Sequence, residues 1–174
     1  KYGFSINEIK KTGIKINQTF KMYSNVSIKN DDGANMVSAF GTAIINLSKI
    51  LKKTKPDIVL SGFDISANFA VTVAAAHMNI PIAHIQGGEV SGTIDELIRH
   101  SVSKLSHLHL VSNNEAKKRL IQMGELQSSI HVIGSPDLDL MNSSNLPSIQ
   151  IVKDYYHIPF DNFIRQILIS VNTI

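Results

Sequence analysis

One short stretch of this chain gathers proton-handling groups around a flexible turn: His84-Ile-Gln-Gly-Gly-Glu-Val-Ser-Gly-Thr-Ile-Asp-Glu-Leu-Ile-Arg-His100. His84, Glu89 and Asp95 can move or steer protons if a cleft shifts their pKa values toward neutrality. Gly87, Gly88 and Gly92 let the intervening backbone turn tightly or approach a ligand closely. An acidic and basic set beside a glycine turn suits binding combined with proton transfer. Few purely structural loops need so many polar groups.

The elements that must position this set are legible on either side. Ile80-Pro-Ile-Ala-His84 is an apolar run that reads as a buried parallel strand. An amphipathic helix is expected to begin near Asp95 and reach Leu105, with Ile94, Ile98, Val102 and Leu105 as its core stripe. Strand, glycine loop and helix start form the place where α/β folds bind ligands, outside the carboxyl ends of the strands.

The same alternation runs through most of the chain. A helix end over 1–11 is closed by Gly13, and 14–20 alternates as a strand. Asp31-Asp32-Gly33 is a turn and N-cap cluster before a long helix over 34–53, whose stripe is Met36, Phe40, Ala43, Ile44, Leu47 and Leu51. Strands follow at 58–60, 80–85, 108–111 and 130–133, with helices at 65–78, 95–105 and 113–123 between them. Beyond Met141 the pattern predicts a linker over 142–147, a helical turn over 149–156 and one more strand over 167–171. The fold class expected is α/β, a Rossmann-like parallel sheet with helices on both faces. Residues 1–141 read as one partial domain and 142–174 as a linker with the start of a further element.

Composition narrows the field. The chain has 174 residues, 43% hydrophobic and 18% charged, which fits a soluble globular domain. No apolar run approaches a membrane span, and no leader pattern opens the chain. The absence of cysteine excludes disulfides and thiolate metal sites and is compatible with the cytoplasm. A net charge of +3 is carried by scattered lysines; the run from Lys49 to Lys55 sits at a helix end, where cations suit the dipole. There is no nucleic-acid signature.

Plain structural readings stand beside the chemical ones. Asp64, after the strand at 58–60, and Asp95 are each placed to cap a helix, and Asp95 is spaced to pair with Arg99. His84 on spacing alone is a satisfied structural histidine, and the three glycines do not match a P-loop. His107 and His109 share a strand face, yet no carboxylate is placed to complete a metal site. Ser135-Pro136-Asp137 reads as a helix start, with ligand contact as its alternative.

The motif at 84–96, with Ile98-Arg-His100, Lys104-Leu-Ser-His107 and Ile133-Gly-Ser135, resembles the hydrolysing UDP-N-acetylglucosamine 2-epimerases of sialic-acid and legionaminic-acid pathways. The resemblance is strongest over 57–139. It implies one half of a GT-B type enzyme, a cytoplasmic homo-oligomer that binds a UDP-sugar between two Rossmann-like domains and needs no cofactor, metal, nucleic acid or membrane. The implied chemistry removes the C2 proton, eliminates UDP anti to give a glycal, and adds water to yield N-acetylmannosamine or a related 2-epimer. By the same resemblance Asp64, Asp95 and His84 take part in proton transfer, while Gln86, Gly87, Gly88, Glu89 and Ser91 line the substrate. Two departures stand out. Gln86 occupies a position where many relatives carry glutamate, and an amide cannot act as a general base at neutral pH. Phe63-Asp64-Ile65 replaces the family's Gly-Asp-Arg. The family's second domain and its N-terminal Gly-x-Arg-Ala loop have no counterpart in this sequence, so half an active site is expected. The alternatives are a non-catalytic nucleotide-sugar-binding fragment and an epimerase for a different sugar nucleotide.

Overall fold

A computed structural model describes residues 5–23, 32–62, 66–141 and 146–157. They fall into two compact units, one ending at Ile133 and the other starting at Gly134. The first unit opens with α1 (Ser5–Lys11) and the long α2 (Gly33–Thr54). It continues β1 (Val59–Gly62), α3 (Ser66–His77), β2 (Ile82–Ile85), α4 (Ile94–Lys104), β3 (Leu108–Val111), α5 (Asn114–Gln122) and, after one 3-10 turn, β4 (Ile130–Val132). The second unit contains α6 (Pro136–Met141) and α7 (Ile149–Tyr156). Asp64 and the strand expected over 167–171 lie outside the described residues.

The four strands are parallel in the order β1-β2-β3-β4, each joined to the next by one helix. This is the parallel, Rossmann-like α/β class expected, but among the described residues the crossover helices lie on one face of the sheet and not on both. Register aligns Ser61 with His84, His84 with His109, and His109 with Ile130, so these four share a sheet face. All four are buried. Helices α3, α4 and α5 cover that face: Thr72 of α3 bonds Ser61 (2.9 Å), Ser103 of α4 bonds His84 (3.0 Å), and Leu120 of α5 packs with Val111 and Ile130. Three successive right-handed crossovers advancing in one direction place their helices together in this way. Leu60, of the opposite parity, is 62% exposed.

Helix α2 starts where the sequence placed it, with Asp32 accepting the Asn35 N–H at 2.8 Å. Ala39, Ala43 and Leu51 are buried, and Phe40 stacks on Phe69 of α3 at 5.1 Å. Met36, expected on the inner stripe, is 47% exposed. Against the expectation of no membrane-length run, α2 has 22 residues and a window of mean hydropathy 1.2, enough by length and composition alone. Its packing on α3 is that of a helix layered over a sheet.

Residues 14–20 do not form a strand. Ile16 and Phe20 line a small apolar hollow with Ile6 and Ile9 of α1 and Leu47 and Ile50 of α2. Ile16 and Phe20 are half-buried there while Ile14 is 67% exposed, so the period-2 signal marks partial packing and no sheet. Helix α4 begins one residue before the expected start, and Ile94, placed on its core stripe by spacing, is 64% exposed. Val102 on that stripe is fully buried.

Candidate active site

The loop after β2 is shaped first by its backbone. Gln86 takes a left-handed φ of 60° and donates its N–H to Leu110 O at 2.8 Å, which ties the end of β2 to β3. Gly87 lies against the His84 ring: a Cβ there would sit 2.8 Å from His84 Nδ1 and 2.9 Å from Ser103 Oγ. Gly88 has φ +80°, and a Cβ would come within 2.4 Å of Ala116 O in α5. The close approach of His84 and Ser103 at Gly87, and of the Ala116 backbone at Gly88, leaves no room for a side chain at either position.

Arginines hold the next turn. Arg119 Nη1 of α5 donates to Gly88 O at 3.0 Å, and Arg99 Nη1 of α4 donates to Glu89 O at 2.9 Å. Glu89 is half-buried and accepts a short hydrogen bond at Oε1 from the Ser112 hydroxyl at the end of β3. Arg99, only 9% exposed, is therefore a brace of the loop rather than a surface partner awaiting Asp95.

Thr93, and not Asp95, is the N-cap of α4, accepting the Asp95 N–H at 3.3 Å. Glu96 completes the cap, with its Oε2 accepting the N–H groups of Ser91 and Gly92, each at 2.7 Å. Those two donors, Gly92 first, hold the Glu96 carboxyl below its ordinary range. Thr-x-x-Glu is a capping-box signature, so the local sequence carries the signal for this cap. Released from capping, Asp95 is exposed in the first turn, with Thr93 Oγ1 3.4 Å from its Oδ2. Ser91 is also exposed, its hydroxyl 3.4 Å from Thr93 Oγ1.

His84 is 1% exposed, and burial, then the neighbouring His109, Arg99 and His100, pushes its pKa down to about 3. It is neutral at physiological pH. Because the Ser103 hydroxyl donates to Arg99 O at 3.1 Å, its oxygen accepts from His84 Nδ1, which fixes the tautomer with the proton on Nδ1. The group supports the loop under Gly87 as a neutral hydrogen bonder.

His109 and His107 have structural partners. His109 Nε2 lies 3.2 Å from Glu125 Oε2, whose other oxygen pairs with Lys104 at 2.6 Å. Burial lowers the His109 pKa against the opposing pull of Glu125. His107 Nδ1 accepts the Ile82 N–H at 3.3 Å. Among the described residues no group of three His, Cys, Asp or Glu has the geometry for a metal ion.

The structure thus gathers Gln86, Gly87, Gly88, Glu89, Ser91 and Asp95 on one loop and helix start beyond the carboxyl end of β2, with His84 beneath them. Ser112, Arg99 and Arg119 join them through contacts that linear spacing did not reveal, and Glu96 through the capping box. A parallel sheet carrying this loop at its carboxyl edge defines a Rossmann-like α/β domain.

A family profile described as UDP-N-acetylglucosamine 2-epimerase matches residues 7–169. The chain belongs to that family. A UDP-N-acetylglucosamine 2-epimerase of Neisseria meningitidis serogroup B is 47% identical over 131 residues, 75% of this chain and 35% of that one. The hydrolysing UDP-N,N'-diacetylbacillosamine 2-epimerase of Legionella pneumophila is 39% identical over 138 residues, 79% of this chain and 36% of the relative. The crystal structure of UDP-GlcNAc 2-epimerase from Neisseria meningitidis bound to UDP-GlcNAc matches with a TM-score of 0.62 and 25% identity, over 84% of this chain and 37% of that one. The chain therefore spans about a third of the length of these relatives.

Proposed function

We propose that this chain supplies one half of the active site of a hydrolysing 2-epimerase that converts UDP-N-acetylglucosamine to N-acetylmannosamine and UDP. The carrying observation is the braced loop 86–96, which sets two carboxylates, Glu89 and Asp95, beyond the carboxyl end of β2. Family membership and a Neisseria relative solved with UDP-GlcNAc support the substrate class. The nonulosonate pathway, the cytoplasmic location and the homo-oligomer follow from the family resemblance.

In this reading a carboxylate takes the C2 proton while the C1–O bond to UDP breaks, leaving a C1=C2 glycal. Water then adds its oxygen to C1, and a proton returns to C2 from the opposite face. Asp64 and Asp95 are the proposed acid and base. Gln86, Glu89 and Ser91 contact the sugar, Gly87 and Gly88 give the loop its shape, and His84 supports it without carrying the proton.

Incubation of the protein with UDP-N-acetylglucosamine tests this, with UDP release and N-acetylmannosamine followed by proton NMR. Asp95→Asn should lower turnover by about a hundredfold or more, as expected for loss of a proton-transfer group. Turnover equal to the unsubstituted protein would end the assignment of Asp95. UDP-N,N'-diacetylbacillosamine, run in parallel because of the Legionella relative, identifies the alternative sugar.

Gln86 favours a second reading, a module that binds the sugar nucleotide without turning it over. Calorimetric binding with no UDP release, before or after Gln86→Glu, would select it, whereas a large gain of release in Gln86→Glu would mark a catalytic site dulled at this position.

A further inference from the structure

We infer that Ser112 is a positioning residue that fixes the Glu89 carboxylate for substrate. The inference rests on the epimerase reading above and adds to it a group from a third strand. Ser112 is the first residue after β3, and the β2–β3 pairing of Ile85 with Leu110 brings it beside the loop that leaves β2. Its hydroxyl accepts from Asn113 Nδ2 at 3.2 Å and donates its own hydrogen to Glu89 Oε1. Among the described residues this hydroxyl is the one hydrogen-bond partner of the Glu89 side chain.

The surrounding backbone is held on both sides. Arg119 grips the carbonyl of Gly88 and Arg99 that of Glu89, while Gly88 is wedged against the Ala116 backbone. The main chain of Glu89 therefore stays in place without Ser112. The carboxylate, three bonds out, depends on the hydroxyl for its orientation. With Oε1 committed to Ser112, Oε2 is left to accept from a ligand hydroxyl.

The test compares Ser112→Ala, Ser112→Thr, Glu89→Gln and the Glu89→Gln/Ser112→Ala double variant in UDP release from UDP-N-acetylglucosamine. Ser112→Ala should lower kcat by about tenfold, the worth of one ordinary hydrogen bond, with KM little changed. Ser112→Thr, which keeps the hydroxyl, should restore it. The double variant should fall no further than Glu89→Gln alone, since the two groups act as a unit. Threonine failing where alanine fails, or fully additive losses, would overturn the inference. If the unsubstituted protein releases no UDP, the epimerase reading fails separately. Carbon-13 NMR of glutamate-labelled protein then decides the positioning: the Glu89 carboxyl resonance should move in Ser112→Ala and return in Ser112→Thr. An unmoved resonance, in a protein whose other resonances are unchanged, overturns it.

Discussion

Gly88 and Gly92 both have positive φ, yet they differ in what surrounds them. At Gly92 (φ +68°) an added Cβ meets nothing within 4 Å, so alanine there bears only the left-handed backbone strain, about 1–2 kcal/mol. At Gly88 the same methyl would collide with the Ala116 carbonyl of α5, a backbone atom that cannot swing aside. Gly88→Ala should therefore be the more destabilising of the pair, by about 1–3 kcal/mol beyond Gly92→Ala. Urea unfolding of the two variants checks the order, and equal midpoints would show that α5 yields. The residues that hold Glu89 were harder to see in the sequence. Ser112 lies 23 positions from Glu89 and Arg119 lies 31 from Gly88, distances at which no helical or strand period gives a signal.

At the scale of elements, β1, β2 and β3 are each fastened by a polar pair, while β4 packs through the apolar Ile130. Ser61 meets Thr72, His84 meets Ser103, and His109 meets Glu125 near the end of α5. A one-residue slip would turn each of these side chains to the opposite face and leave its partner unpaired. Ser103→Ala should leave His84 Nδ1 buried without an acceptor and cost about 1–3 kcal/mol by urea unfolding. Thr93→Ala should cost about 1 kcal/mol in the same assay, and loss in Asp95→Asn should be smaller because Asp95 is not the cap. The helices and strands were largely legible because apolar periodicity marked them. The false strand at 14–20 arose from the same signal, since alternation reports one buried side and not what buries it.

For the whole molecule, pH is the sharpest probe of how the first unit is built. The His84 pKa falls from 6.5 to about 3 on folding, so the folded state favours the neutral ring. The unfolded chain binds the proton first as pH drops, and stability declines from about 6.5 downward until the folded pKa is reached. Between pH 7 and pH 5 this one group should remove about 2 kcal/mol. His109, shifted in the same direction, adds to the loss. Glu96, held low by its cap bonds, contributes only below the ordinary carboxylate range. Urea unfolding at several pH values should show this decline, and His84→Asn should flatten it between pH 7 and pH 5. An unflattened profile would place the acid sensitivity elsewhere.

The sequence by itself determined the α/β class, the order of its elements and the loop that carries the candidate chemistry. Those follow from local periodicity, helix caps and a glycine-rich motif, all encoded within a few residues of one another. Tertiary structure decided which groups brace that loop and that His84 is a buried neutral support. Such properties depend on burial and on side chains brought from separate strands and helices, and neither exists until the sheet has closed against its helical layer.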